Sequence, residues 1–185
     1  MRISDQRSEL HTLIRSAAIS YPPAPWTHRS IHAISGLTDL GYLPHSDYLL
    51  VLSQQGRSIY NCRNGERICR DTTGSLDFDV YGLTAHAFGP FAGIKVRTAG
   101  LHGGGLALNH PAGWQLQAVT LDWPEQAVVL SLTHDWLQEL LERETQQIYC
   151  LAKDQEIRTF GFSPTGYSMV VASADRLLII AQPEC

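Results

Sequence analysis

From Asp47 onward the chain is cut into short apolar runs by turn residues, and no other feature limits its fold as much. Asp47-YLLVLS-Gln54, a QQG turn, RSIYNC, Asn64-Gly65 and ERICRD follow one another with no room for a helix between them. Asn-Gly between two such runs is the strongest short-range hairpin signal, because both positions tolerate positive φ, and it predicts a two-residue turn here. The texture returns as Gly113-WQLQAVTL, DWPEQ and AVVLSL, then as Gln147-IYCLA, KDQ, EIRTFGF, SPTG, YSMVVAS, AD and RLLIIA. The chain therefore reads as mainly β, a β-rich α+β fold of antiparallel meander sheets with its body over 47–182.

Two segments break that texture. Ser4 can cap a helix in which Leu10, Leu13, Ile14 and Ala17 recur at helical spacing, so 5–19 reads as an amphipathic helix ended by Tyr21-Pro-Pro-Ala-Pro25. Trp136, Leu137, Leu140 and Leu141 give a second helical stripe over about 134–146. Residues 26–44 mix glycine, proline and short apolar pieces and read as loop, with at most a short helix.

The 185 residues, 44% of them hydrophobic, suffice for one domain over 1–185 that buries roughly 70% of its unfolded surface. Such a core requires neither metal nor disulfide. Cys62, Cys69, Cys150 and Cys185 form no CxxC pair and read as reduced thiols of a cytosolic protein. The first twenty residues lack the apolar core of a signal peptide, and no run approaches the ~18 apolar residues of a membrane span, so a cytoplasmic location with no membrane partner is expected.

Charge is unevenly spread. Residues 1–70 carry 8 Lys/Arg against 5 Asp/Glu, whereas 71–142 carry 2 against 8, and no Lys or Arg occurs from Thr98 to Glu142. Phosphate neutralisation needs clustered cations, so direct nucleic-acid binding is not expected. An acidic middle segment favours a basic protein partner.

Several motifs invite chemistry. His102-Gly103-Gly104-Gly105 matches an esterase oxyanion-hole string, but the candidate nucleophile elbow, Gly161-Phe-Ser163-Pro-Thr-Gly166, has the wrong spacing for G-x-S-x-G. His28 and His32 have the i,i+4 spacing of a metal pair on a helix, with no third ligand close by. Asp77 and Asp79 would lie about 6–7 Å apart on one face of a Ser75–Gly82 strand, a separation suited to paired carboxylates or a cation, and equally to an ordinary solvated face. No catalytic residue, metal or cofactor is expected. Asp122, Trp123 and Glu125, with Asp135, Trp136, Glu139 and Glu142, combine aromatics with carboxylates as a docking face for a basic protein would; core tryptophans beside solvated acids would give the same pattern. Together with Asp77 and Asp79 these residues form the expected partner-binding set.

The segment EIRTFGFSPTGYSMVVASADRLLIIA resembles one blade of a β-propeller, and RSIYNCRNGERICRD resembles the outer hairpin of a blade, in a chain too short for a closed ring. Taken over its full length, from MRISDQRSELHTLIRSAAIS to GFSPTGYSMVVASADRLLIIAQPEC, the chain resembles bacterial immunity proteins that neutralise nuclease effectors of type VI secretion. That resemblance implies a cytosolic inhibitor whose partner is a cognate DNase toxin with a basic nuclease domain. The alternatives are a propeller-like scaffold that binds a peptide or small ligand, and a small hydrolase using His102 or the Asp77/Asp79 pair.

Overall fold

A computed structural model of the chain describes residues 11–73, 77–132 and 148–183. The strands are β1 His28–Ala33, β2 Leu37–Tyr42, β3 Tyr48–Ser53, β4 Gly56–Asn61, β5 Glu66–Asp71, β6 Phe78–Asp79, β7 Thr84–His86, β8 Lys95–Arg97, β9 Ala99–Gly100, β10 Gln115–Thr120, β11 Gln126–Ser131, β12 Ile148–Asp154, β13 Ile157–Phe162, β14 Ser168–Ser173 and β15 Arg176–Ala181. Among the described residues every pairing is antiparallel, and the strands form four sheets, none closed into a barrel. The molecule is mainly β, as its strand-and-turn texture indicates. It divides into two compact units, one drawn from 1–23 and 108–156 and the other from 24–107 and 157–185.

The larger unit holds three sheets, ordered β1-β15-β14-β13, β5-β4-β3-β2-β9 and β6-β7-β8. β3 shows why its sequence is a continuous apolar run. Leu49 and Val51 enter one core with Leu37, Tyr60, Val170, Ala172, Leu177 and Ile179, while Leu50 and Leu52 enter another with Ile59, Ala85 and Val96. A strand buried on both faces has no solvent face on which to place polar residues, so alternation disappears. Each such leucine contributes roughly 1.5–3 kcal/mol by leaving water. The expected outer hairpin is present, with β5 at the edge of its sheet. Its turn differs from expectation: Asn61 pairs with Glu66, so four residues connect the strands. Gly65 alone takes positive φ, and its N–H donates to Asn61 O at 2.8 Å.

Residues 26–44 correct the loop reading, since two strands lie there. β1 has its half-buried residues at His28, Ser30 and His32, while Ile31 is 55% exposed. Its apolar residue thus stands on the wrong side for the usual signal, and the strand exists because β15 supplies a hydrogen-bonding edge, pairing His28 with Ala181 through Ala33 with Arg176. β2 hides behind Asp39 and Gly41, residue types depleted from strands, and both have specific tasks described below.

The smaller unit holds the sheet β10-β11-β12 and a helical stretch over 11–16. Ile14 from that stretch packs with Val119, Leu121, Ala127, Val129 and Cys150. The helix stops at 16, short of the expected 19. Beyond it Lys153 Nζ donates to the carbonyls of Arg15 and Ala17, at 2.8 and 2.7 Å, and so caps the open helix end. The expected helix at 134–146 lies outside the described residues. Among the described residues no helix is long and apolar enough to cross a membrane.

Cys62, Cys69 and Cys150 are free thiols. Cys62 is fully buried, and burial together with the nearby Asp47 carboxylate pushes its thiol well above the ordinary value. Because the thiolate is the nucleophile, Cys62 is expected to stay unmodified by iodoacetamide in the native protein at pH 8 and to react fully in urea. Mass spectrometry of tryptic peptides reads this directly; native labelling of Cys62 would show that the core around Tyr42 opens.

Candidate functional site

The β10–β11 hairpin of the smaller unit carries the feature best suited to recognition. Thr120 pairs with Gln126, leaving a five-residue connection from Leu121 to Glu125. Leu121 N–H donates to Glu125 O at 2.9 Å and Glu125 N–H donates to Asp122 O at 2.6 Å, which folds the connection into a tight tip. Leu121 is buried in the core and holds the tip down. Trp123, followed by a cis bond to Pro124, stands outward with 83% of its surface exposed. Asp122 forms an ion pair with Arg15, and Glu125 is half-buried beside it. Between the alternatives of core and surface, Trp123 is at the surface.

Of the other expected positions, the structure describes Asp77 and Asp79. Asp77 and Asp79 belong to the larger unit and are engaged separately. Asp77 takes a φ of 35° outside the two-residue β6 and accepts from His86 Nδ1 at 3.0 Å. Asp79 Oδ1 accepts from the N–H groups of Tyr81 and Gly82, at 3.1 and 2.9 Å, capping the turn to β7. They are not a carboxylate pair on one strand face, because the positive φ at Asp77 breaks the extended geometry that the strand reading requires. Asp135, Trp136, Glu139 and Glu142 lie outside the described residues.

His102 has a partner that sequence reading missed. Asp39, wholly buried in β2, places Oδ2 at 2.7 Å from His102 Nδ1 and accepts from the His102 backbone N–H through Oδ1 at 3.3 Å. The ring edge of Phe78 or of the imidazole meets the other ring at 5.2 Å between centroids, and one third of the His102 side chain is exposed. Two of the glycines that follow, Gly103 and Gly104, are committed to backbone contacts. Gly103 N–H donates to Gly100 O at 3.1 Å and Gly100 N–H to Gly103 O at 2.9 Å, while a Cβ at Gly104 would meet Thr98 O at 2.4 Å. Gly103 therefore has its N–H engaged inside the turn, unlike a donor aimed at an oxyanion. Ser163 is likewise internal: its Oγ accepts from Ser168 N–H and contacts Thr165 Oγ1, and both Thr165 and Ser168 donate to Asp47, at 2.7 and 2.6 Å. This network ties the β13–β14 turn to the β2–β3 turn and leaves Ser163 almost without exposure.

His28 and His32 sit on β1 and not on a helix, so their backbones lie roughly 13 Å apart along the strand. That separation is too long for one ion. The His32 ring meets the Tyr60 ring at a tilt, 4.7 Å between centroids, and burial, then the Arg67 charge, holds its imidazole below the ordinary value. Among the described residues no group of three His, Cys, Asp or Glu side chains is placed to hold a metal. No protein-family model matches the chain, and no curated protein matches it.

Proposed function

We propose that the protein is an inhibitor that docks the Trp123 tip on a basic protein surface, and that the partner is the nuclease toxin implied by the resemblance to immunity proteins. The observation that supports this reading is an almost fully exposed tryptophan between Asp122 and Glu125, in a stretch of sequence without a single Lys or Arg. Leaving such a ring in water is costly, and covering it would contribute roughly 4 kcal/mol of gross burial energy. Asp122 already pairs with Arg15, so attraction toward a cationic face, where the toxin would hold DNA, rests on Glu125 and on Asp122 exchanging that partner. A location in the same cytosol as the toxin follows from the proposal. Neither a ligand-binding scaffold nor a hydrolase accounts for the exposed tip.

Tagged protein recovered from its native host cytosol, followed by mass spectrometry, tests the partner's identity, and DNA cleavage by the recovered toxin tests inhibition. Trp123→Ala is expected to weaken binding roughly thirtyfold, the effect of losing a central aromatic anchor. Its melting temperature should match the wild type, because little of the ring is packed in the free protein. Asp122→Lys with Glu125→Lys should slow association and flatten its salt dependence. Equal binding by Trp123→Ala would move the docking face elsewhere. Failure to recover any nuclease with folded, abundant protein would end the immunity reading.

A further inference from the structure

β5 carries an irregularity that brings two cations together. Arg70 pairs with Ser58 and Cys69 with Ile59, yet Tyr60 pairs with Arg67, so Ile68 is an extra residue with no partner on β4. In a regular strand residues three apart point to opposite faces; the bulge at Ile68 cancels that alternation and puts Arg67 and Arg70 on the face shared by Ser58 and Tyr60. The register sets their backbones about 7 Å apart along the strand. Both arginines line an open groove of about 80 Å³, several times what one water needs, whose walls also include Ser35, Ser53 and Ser58.

The surroundings leave this charge unbalanced. Arg57 faces the other way, paired to Asp71 at 3.0 Å, and no carboxylate lines the groove. Among the described residues neither Arg67 nor Arg70 has an acidic partner. The two guanidinium groups share one face with no carboxylate in the groove wall, and the Arg67 charge is close enough to His32 to disfavour its protonation. Each presents a planar fork suited to a tetrahedral oxyanion, and the Ser35 and Ser58 hydroxyls add neutral donors, Ser53 Oγ being committed to Gly56 O at 3.0 Å.

We propose that this groove binds the phosphate group of a small phosphorylated molecule, held between the Arg67 and Arg70 guanidinium groups with Ser35 and Ser58 as hydroxyl donors. The site lies in the larger unit and does not depend on the inhibitor reading. A single oxyanion fits the two cations, whereas an extended nucleic acid would need a continuing row of them.

The probes are inorganic phosphate and glycerol 3-phosphate, titrated into ¹⁵N-labelled full-length protein at constant ionic strength set with sodium chloride. Saturable shifts of the Ser58, Arg67 and Arg70 amides by both probes are expected. Arg67→Gln and Arg70→Gln should each weaken binding about tenfold, the effect of losing one charge-assisted contact. Arg63→Gln serves as the control cation, since its guanidinium lies over the Tyr167 ring at 4.6 Å, and should bind as the wild type does. Shifts that grow linearly without saturating would overturn the proposal, as would binding of inorganic phosphate but not the ester. Undiminished affinity in a folded Arg67→Gln/Arg70→Gln variant would overturn it equally.

Discussion

Gly41→Ala is expected to lower the midpoint of thermal unfolding by on the order of 10 °C, corresponding to about 3 kcal/mol or more. Gly41 sits on β2, between β3 and the short edge strand β9, and a Cβ built there would lie 2.0 Å from the Arg97 carbonyl oxygen and 2.8 Å from Val96 Cγ1. The obstacle is backbone, so relief requires β8 to move away from β2, and that movement pulls Val96 out of the core it shares with Leu50, Leu52 and Ile59. Gly105→Ala is the matched control, because a Cβ there meets nothing within 4 Å. Circular dichroism melts of the two variants settle the point: a Gly41→Ala protein that melts with the wild type would mean that the sheets can separate at little cost.

Loss of His102 should matter nearly as much, although it is the more exposed member of its pair. His102→Ala leaves the buried Asp39 carboxylate with the 3.3 Å backbone N–H as its remaining contact at this position. A stranded buried charge costs more than the imidazole gains by packing, and a destabilisation of about 3 kcal/mol is expected. Asp39→Asn in the same background should restore part of it, since a neutral amide is far easier to keep from water than a carboxylate. Denaturant unfolding of the two single variants and the double variant measures the coupling. If the double variant is as unstable as the sum of the singles, the pair acts through shape and not through charge.

The β-rich class was legible because its strongest signals are local. Asn64-Gly65 announces a reversal, and the runs around Leu50 and Val170 announce strands with two covered faces. β1 and β2 were illegible for a reason that is physical. β1 owes its existence to a partner at the far end of the chain, and β2 departs from strand preferences at the two residues that hold His102 and admit the Arg97 carbonyl. Sequence breaks local rules where tertiary contacts demand it. The exposed tip was half legible: Asp122, Trp123 and Glu125 were visible as a cluster, whereas the outward stance of Trp123 depends on Leu121 taking the buried position. The shared face of Arg67 and Arg70 could not be read at all, because it follows from one unpaired residue, and pattern reasoning assumes strict alternation.

The pairing of His28–Ala33 with Arg176–Ala181 also fixes an order of events during synthesis. Among the described strands β1 leaves the ribosome well over a hundred residues ahead of β15, the strand it pairs with in the sheet order. Contacts this distant in sequence close slowly. Throughout that interval β1 is an unpaired strand, open to β15 of another copy whose own β1 has not yet docked. Exchange of β1 between two copies would satisfy the same β1–β15 hydrogen bonds as closure within one chain, so fast closure is what keeps the two routes apart.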